Sequence, residues 1–168
     1  MKKFLLLTIL VIVPFLGNTC VCDGDIFDLR HAMANYARVF RGIVLSKEQV
    51  TDWGKYKVIE QGEKNDVFKG SNGIFAAYKL KIVKTYKGTK TIDTITVLTP
   101  FTGAACGYRM EVGGQYALFC SDYDFAFYSL NHKTISLDSS VVWTNHCTAN
   151  REWFDALDSQ LVEAGKGR

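Results

Sequence analysis

The architecture this sequence predicts is mainly β: a small closed barrel with a helix near each end. Three observations point to it. Five segments carry the alternation, or the β-branched and aromatic richness, of strands. Helical spacing of apolar residues appears only near the two ends of the chain that follows the leader. Turn signals separate the strands, as in antiparallel barrels rather than parallel sheets.

The first residues read as an address. Lys2 and Lys3 precede a 13-residue apolar run over positions 4–16, and Gly17, Asn18 and Thr19 bring small or polar character before Cys20. That is the layout of a secretory signal peptide, and the run is short for a bilayer span. Cleavage after Thr19 places Gly17 and Thr19 at the positions the peptidase reads. It leaves residues 20–168 as a single domain with enough chain to bury its own core.

The elements follow in order. Residues 25–36 (DIFDLRHAMANY) place Ile26, Leu29 and Met33 at helical spacing, with Asp25 as the cap. Residues 37–46 (ARVFRGIVLS) set Val39, Arg41, Ile43 and Leu45 against Phe40, Gly42 and Val44, a strand. A connection of unusual length, 47–74, carries Trp53, Tyr56 and Phe68 among many charges, and 55–59 reads as a hairpin extension within it. Residues 75–86 form the next strand, with a change of phase at Val83 that predicts a bulge. Lys87-Gly88 turns into a β-branched strand over 92–99, stopped by Pro100. Residues 115–120 and 141–145 are the last strands. Residues 153–162 put Trp153, Leu157 and Leu161 four apart on a helix capped by Asn150.

Charge excludes some partners. Lys and Arg number 20 against 17 Asp and Glu, and two of the lysines belong to the leader. So balanced a surface gives no reason to expect nucleic acid or an anionic membrane. No later stretch is apolar enough to span a membrane. All five cysteines, Cys20, Cys22, Cys106, Cys120 and Cys147, follow the leader. In an oxidising compartment they are disulfide material with one left over, and several pairings are open.

The residues do not describe an enzyme. His31, His132 and His146 are dispersed, without His-Glu-x-x-His spacing, and read as surface or cap residues. There is no Gly-x-Ser-x-Gly, no phosphate-cradling loop, no Cys-x-x-Cys and no evident pair of carboxylates. No cofactor of its own is expected. What stands out is Cys20-Val21-Cys22 at the expected new N-terminus, with Cys106-Gly107-Tyr108 far downstream.

Those motifs, in order, carry a resemblance. Thr99-Pro100 followed by Cys106-Gly107-Tyr108 resembles the Thr-Pro…Cys-Gly-Tyr segment of the tissue inhibitors of metalloproteinases. Tyr86-Lys87-Gly88 is similar to their Tyr-Lys-Gly turn, Cys-x-Cys directly after a signal peptide is their beginning, and residues 144–153 around Cys147 resemble the stretch after their last barrel strand. The resemblance implies a five-stranded closed barrel of the oligonucleotide/oligosaccharide-binding (OB) type, the netrin-like inhibitory domain. It implies disulfides Cys20–Cys106 and Cys22–Cys147, with Cys120 a free, buried thiol. The chain departs from the family in three ways. It has no cysteine in the helix after Cys22, it lacks the second cysteine-rich domain, and Val21 stands where Thr or Ser is usual.

The function so implied is a secreted, extracellular inhibitor of secreted or cell-surface zinc metalloproteinases. The α-amine and carbonyl of Cys20 would bind the catalytic zinc of the target. Val21, Cys22, Asp23 and Gly24 would lie along its cleft, with Ala104 and Ala105 at neighbouring subsites. The alternative is a non-inhibitory netrin-like module that binds extracellular matrix or another secreted protein, since a fold does not fix a function.

Overall fold

The computed structural model describes residues 22, 28–50, 58–59, 75–88, 92–101, 106–122, 136–137 and 139–166. The chain is mainly β. Strands β1 (Arg38–Val50), β3 (Phe75–Lys87), β4 (Thr94–Pro100), β5 (Gln115–Cys120), β7 (Val141–Trp143) and β8 (Arg151–Glu152) form one mixed sheet in the order β7-β4-β3-β1-β5-β8. The very short β2 (Val58–Ile59) and β6 (Ser136–Leu137) pair apart from it. Helix α1 (Leu29–Asn35) precedes the sheet in sequence and α2 (Ala156–Gly165) follows it.

The sheet is not closed, in contrast to the barrel expected from the strand count. The reason lies in residues 143–153, which run antiparallel to the outer edge of β5 but touch it only in places. Trp143 and Ser121 exchange both backbone hydrogen bonds at 2.9 Å. Arg151 and Glu152 pair with Ala117 and Tyr116, and the Trp153 amide donates to the Gln115 carbonyl. Between these points the chain leaves the sheet in a loop, so no continuous ladder joins β5 to β7. On its other side β7 runs parallel to β4, with Leu98 opposite Trp143.

Alternation sorts the side chains into separate cores. Phe40, Val44, Tyr78, Leu80, Ile95, Val97, Leu118 and Cys120 pack inside the curved sheet. Val39, Ala117 and Phe119 point the other way and are covered by Met33 of α1 and by Leu157 and Leu161 of α2. β5 is thus buried on both faces, which explains its nearly unbroken apolar sequence. A third cluster joins Val50, Phe75, Ala77, Leu98, Val141 and Trp143.

Several boundaries move. β1 continues four residues into the expected loop because Val50 is buried opposite Phe75. Residues 58–59 pair with β6, Val58 opposite Leu137 and Ile59 opposite Ser136, and the rest of the expected hairpin extension over 55–59 lies outside the described residues. The slip at Val83 is present. Arg41 faces Lys84 and Gly42 faces Ile82, which leaves Val83 without a partner, and Leu45 is bypassed in the same way on β1. Gly42 lies on the inner face, where a Cβ would lie 3.0 Å from Leu80 Cδ2 and press on that side chain.

Both helix caps differ from expectation. α1 starts after Asp28, whose carboxylate accepts from the amides of Arg30 and His31 at 2.9 and 3.2 Å. Asp25 lies outside the described residues. At the other end of α1, Lys87 Nζ donates to the carbonyls of Met33 and Ala34 in the last turn, where a cation also suits the helix dipole. α2 starts after Asp155, later than expected, since Trp153 is held along β5 and Asn150 is engaged elsewhere. Among the described residues no helix is long and apolar enough to cross a membrane.

Candidate functional site

β4 and β7 are parallel and therefore end at the same side of the sheet. The chain leaving β7 there forms a loop whose neck is Thr144 and Asn150 and whose tip carries Cys147. Phe119 of β5 turns its own amide and carbonyl toward this neck. The Phe119 amide donates to Asn150 Oδ1 at 2.8 Å, and Thr144 Oγ1 donates to the Phe119 carbonyl at 2.9 Å. Two side chains thus satisfy the backbone groups that a ladder would otherwise pair. Asn150 Nδ2 closes the neck by donating to Thr144 Oγ1 at 2.7 Å and to the Asn145 carbonyl at 3.1 Å.

Inside the loop Asn145 makes a tight polar turn. Its Oδ1 accepts from the Cys147 amide at 2.8 Å, and its carbonyl accepts from Thr148 Oγ1 at 2.9 Å. Cys147 is disulfide-bonded to Cys22, 125 positions earlier in the chain. The neighbouring His146 amide donates to the Cys106 carbonyl at 2.6 Å. Cys106 is also disulfide-bonded. Two disulfide anchors from distant parts of the sequence therefore stand side by side.

Cys106 has φ of +61°, the one described non-glycine residue in the left-handed region. That conformation costs about 1–2 kcal/mol for a residue with a Cβ, and the covalent bond and the His146 contact oppose its relaxation. Beyond it, the Tyr108 amide donates to Thr99 Oγ1 at 2.9 Å, which ties the Cys-Gly-Tyr segment to β4. The Tyr108 ring meets Tyr116 edge-on at 6.2 Å. Burial, followed by the nearby Tyr116 and Glu152, pushes the Tyr108 phenol up to about 12. It stays neutral at physiological pH and is a poor candidate for proton transfer.

Cys120 is a free thiol with no exposed surface. Burial pushes its pKa well above the usual cysteine range, which leaves it without thiolate character. At the helical end, the Asp158 carboxylate is held below its usual range by hydrogen bonds from Lys84 Nζ and then Tyr86. This contact docks α2 on β3. His31 and His146 are exposed, and among the described residues no group of three or more His, Cys, Asp or Glu side chains is placed to hold a metal ion.

Of the residues singled out in the sequence, Cys22 and Cys147 are joined, Cys106 lies beside their loop, and Cys120 is buried in the core next to Thr144 of the neck. Cys20, Val21, Asp23, Gly24, Ala104 and Ala105 lie outside the described residues, as do Trp53, Tyr56, Phe68 and His132. The neck residues Thr144, Asn145 and Asn150 have no part in the sequence reading as site residues. Their one signal is a cluster of Thr and Asn directly after a buried strand and around a cysteine. No protein-family model and no curated protein matches the chain.

Proposed function

We propose that this protein is a secreted inhibitor of zinc metalloendopeptidases, a netrin-like module of OB type whose mature N-terminal Cys20 engages the catalytic zinc of its target. The observation that carries the reading is the fixation of Cys22, two residues after Cys20, to Cys147 of a loop in which the preceding residue, His146, hydrogen-bonds through its amide to the Cys106 carbonyl. The resemblance to the tissue inhibitors of metalloproteinases implies Cys20 as the partner of Cys106, and this reading adopts that pairing. A Cys-x-Cys segment tied at both cysteines to adjacent anchors is rigid before it meets a partner, so docking costs little conformational entropy.

The chemistry follows from that rigidity. A catalytic zinc keeps three protein ligands and one open position that holds water. The α-amine nitrogen and carbonyl oxygen of a single residue have the spacing of a five-membered chelate. An α-amine titrates near neutral pH, so its neutral form is readily available. Val21 then enters the apolar pocket on the primed side of the target cleft, and Cys22, Asp23 and Gly24 follow the path of a product peptide. Ala104 and Ala105, next to Cys106, support the neighbouring subsites. Without a peptide bond before Cys20 the protease has nothing to cut.

The test is an inhibition panel over several secreted zinc metalloproteinases, with mass spectrometry to establish the mature N-terminus. An extra Ala before Cys20, or acetylation of its amine, abolishes inhibition and leaves the fold intact. Val21→Gly weakens inhibition by about 1.5–3 kcal/mol, the value of one buried branched side chain. Unchanged inhibition by the extended protein sinks the chelation mechanism. If the wild type inhibits no member at micromolar concentration, the matrix-binding alternative replaces this reading.

A further inference from the structure

The loop that carries Cys147 is an excursion from an otherwise extended segment. Residues 151–153 meet β5 through their backbone and residue 143 pairs with Ser121 just beyond it, whereas Thr144 and Asn150 reach β5 through their side chains. Whether such a loop holds its tip in one place depends on its neck. Here the neck is closed by side chains. Asn150 binds the Phe119 amide, Thr144 Oγ1 and the Asn145 carbonyl, while Thr144 binds the Phe119 carbonyl. The orientation of the Asn150 amide is set by its partners, since a backbone amide only donates and a carbonyl only accepts. Thr144 is fully buried and Asn150 partly so. The Asn145 carbonyl reached by Asn150 belongs to the residue whose Oδ1 holds the Cys147 amide.

We infer that Asn150 is a positioning residue for the N-terminal staple: its side chain locks the neck of the Cys147 loop to β5 and thereby fixes where the Cys22–Cys147 bridge, and the segment before Cys22, is presented. The consequence for inhibition rests on the proposed inhibitory function, but the consequence for the bridge does not. Asn150→Asp is the informative change. It keeps the oxygen that accepts from the Phe119 amide, removes both N–H donations, and sets a carboxylate against the Asn145 carbonyl. The neck is weakened while β5 keeps its partner.

The test measures how fast the Cys22–Cys147 bridge opens under a low concentration of dithiothreitol, by alkylation and peptide mapping. Cys120 serves as an internal reporter, because its buried thiol reacts only if the core opens. Asn150→Asp is expected to speed opening of the bridge at least tenfold with Cys120 still protected, and to weaken inhibition of any protease the wild type inhibits by a similar factor. Asp158→Asn, at the helical end, serves as the control and leaves the bridge rate unchanged. An unchanged bridge rate in Asn150→Asp overturns the inference. So does exposure of Cys120 in parallel with the bridge, which would make Asn150 a general support of the core. Faster opening together with a wild type that inhibits nothing would uphold the positioning role and dismiss the inhibitory function instead.

Discussion

The two ends of this molecule are held by different physics. At the helical end, Val39, Ala117 and Phe119 on the sheet bury against Met33, Leu157 and Leu161, and the polar contacts, such as Lys84 with Asp158, lie at the surface. At the staple end the loop at 144–150 contributes few large apolar side chains. It is held by a disulfide, a fully buried threonine and two asparagines that satisfy backbone groups of β5 and of the loop itself. Apolar burial is non-directional and tolerates small shifts. Hydrogen bonds and covalent bonds fix direction as well as distance. The difference shows which end is suited to present a segment at a defined angle, and that end is the one carrying Cys22.

This contrast can be broken by experiment. The largest effect is expected at the staple. Replacing Cys22 and Cys147 together by serine removes a cross-link over 125 positions, which in the chain-entropy model is worth up to about 5 kcal/mol. Urea unfolding of oxidised wild type and of the double variant measures it. Equal midpoints would mean that the polar loop holds without its covalent bond. Next comes Leu157→Ala in the helical core, expected to cost about 2–5 kcal/mol. The two regions meet at Phe119, whose side chain packs in the cluster that holds Leu157 and Ala149 and whose backbone holds the loop neck, so the losses should depart from additivity by about 0.5 kcal/mol or more. Strict additivity would show that helices and staple are independent in spite of that shared partner.

Smaller effects appear at extremes of pH. Tyr108 ionises near pH 10 in the unfolded chain but only at about 12 in the fold. The folded protein holds its proton where the unfolded chain has lost it, so stability falls as pH rises from about 10 to 12. Tyr108→Phe should flatten part of that fall in urea midpoints measured at pH 9 and pH 11, and an unaltered profile would mean that Tyr108 is not its source. The smallest effect concerns Asp158. Its folded pKa is depressed, so its contribution is present above its unfolded pKa of about 4 and is lost as pH falls through the folded value. Melting temperatures at pH 3 and pH 6 should therefore differ slightly less in Asp158→Asn than in wild type. The staple end should show no such dependence on this substitution.

Much of the fold is legible in the sequence where the signal is local. The alternation in 37–46 and 75–86, the apolar run of 115–120 and the phase change at Val83 all correspond to structure. Helix boundaries are less legible, because Asp25, Asp28, Asn150 and Asp155 are all acceptable caps and tertiary contacts choose among them. Asn150 illustrates why. A helix cap and a neck clamp use the same short amide, and what separates them is the nearness of Phe119, 31 positions earlier in the chain.

By itself the sequence determined the period of each strand and the supply of cysteines, because each is written within a few neighbouring residues. The tertiary structure decided how β5 meets the returning chain. A closed barrel and an open sheet need the same alternation, and they differ only in whether residues 143–153 follow β5 continuously. The excursion at 144–150 keeps the sheet open, and side chains of Thr144 and Asn150 complete the hydrogen bonds of Phe119 that a ladder would have made. That outcome depends on pairings across long separations, where loop closure and the satisfaction of buried backbone groups outweigh local preference.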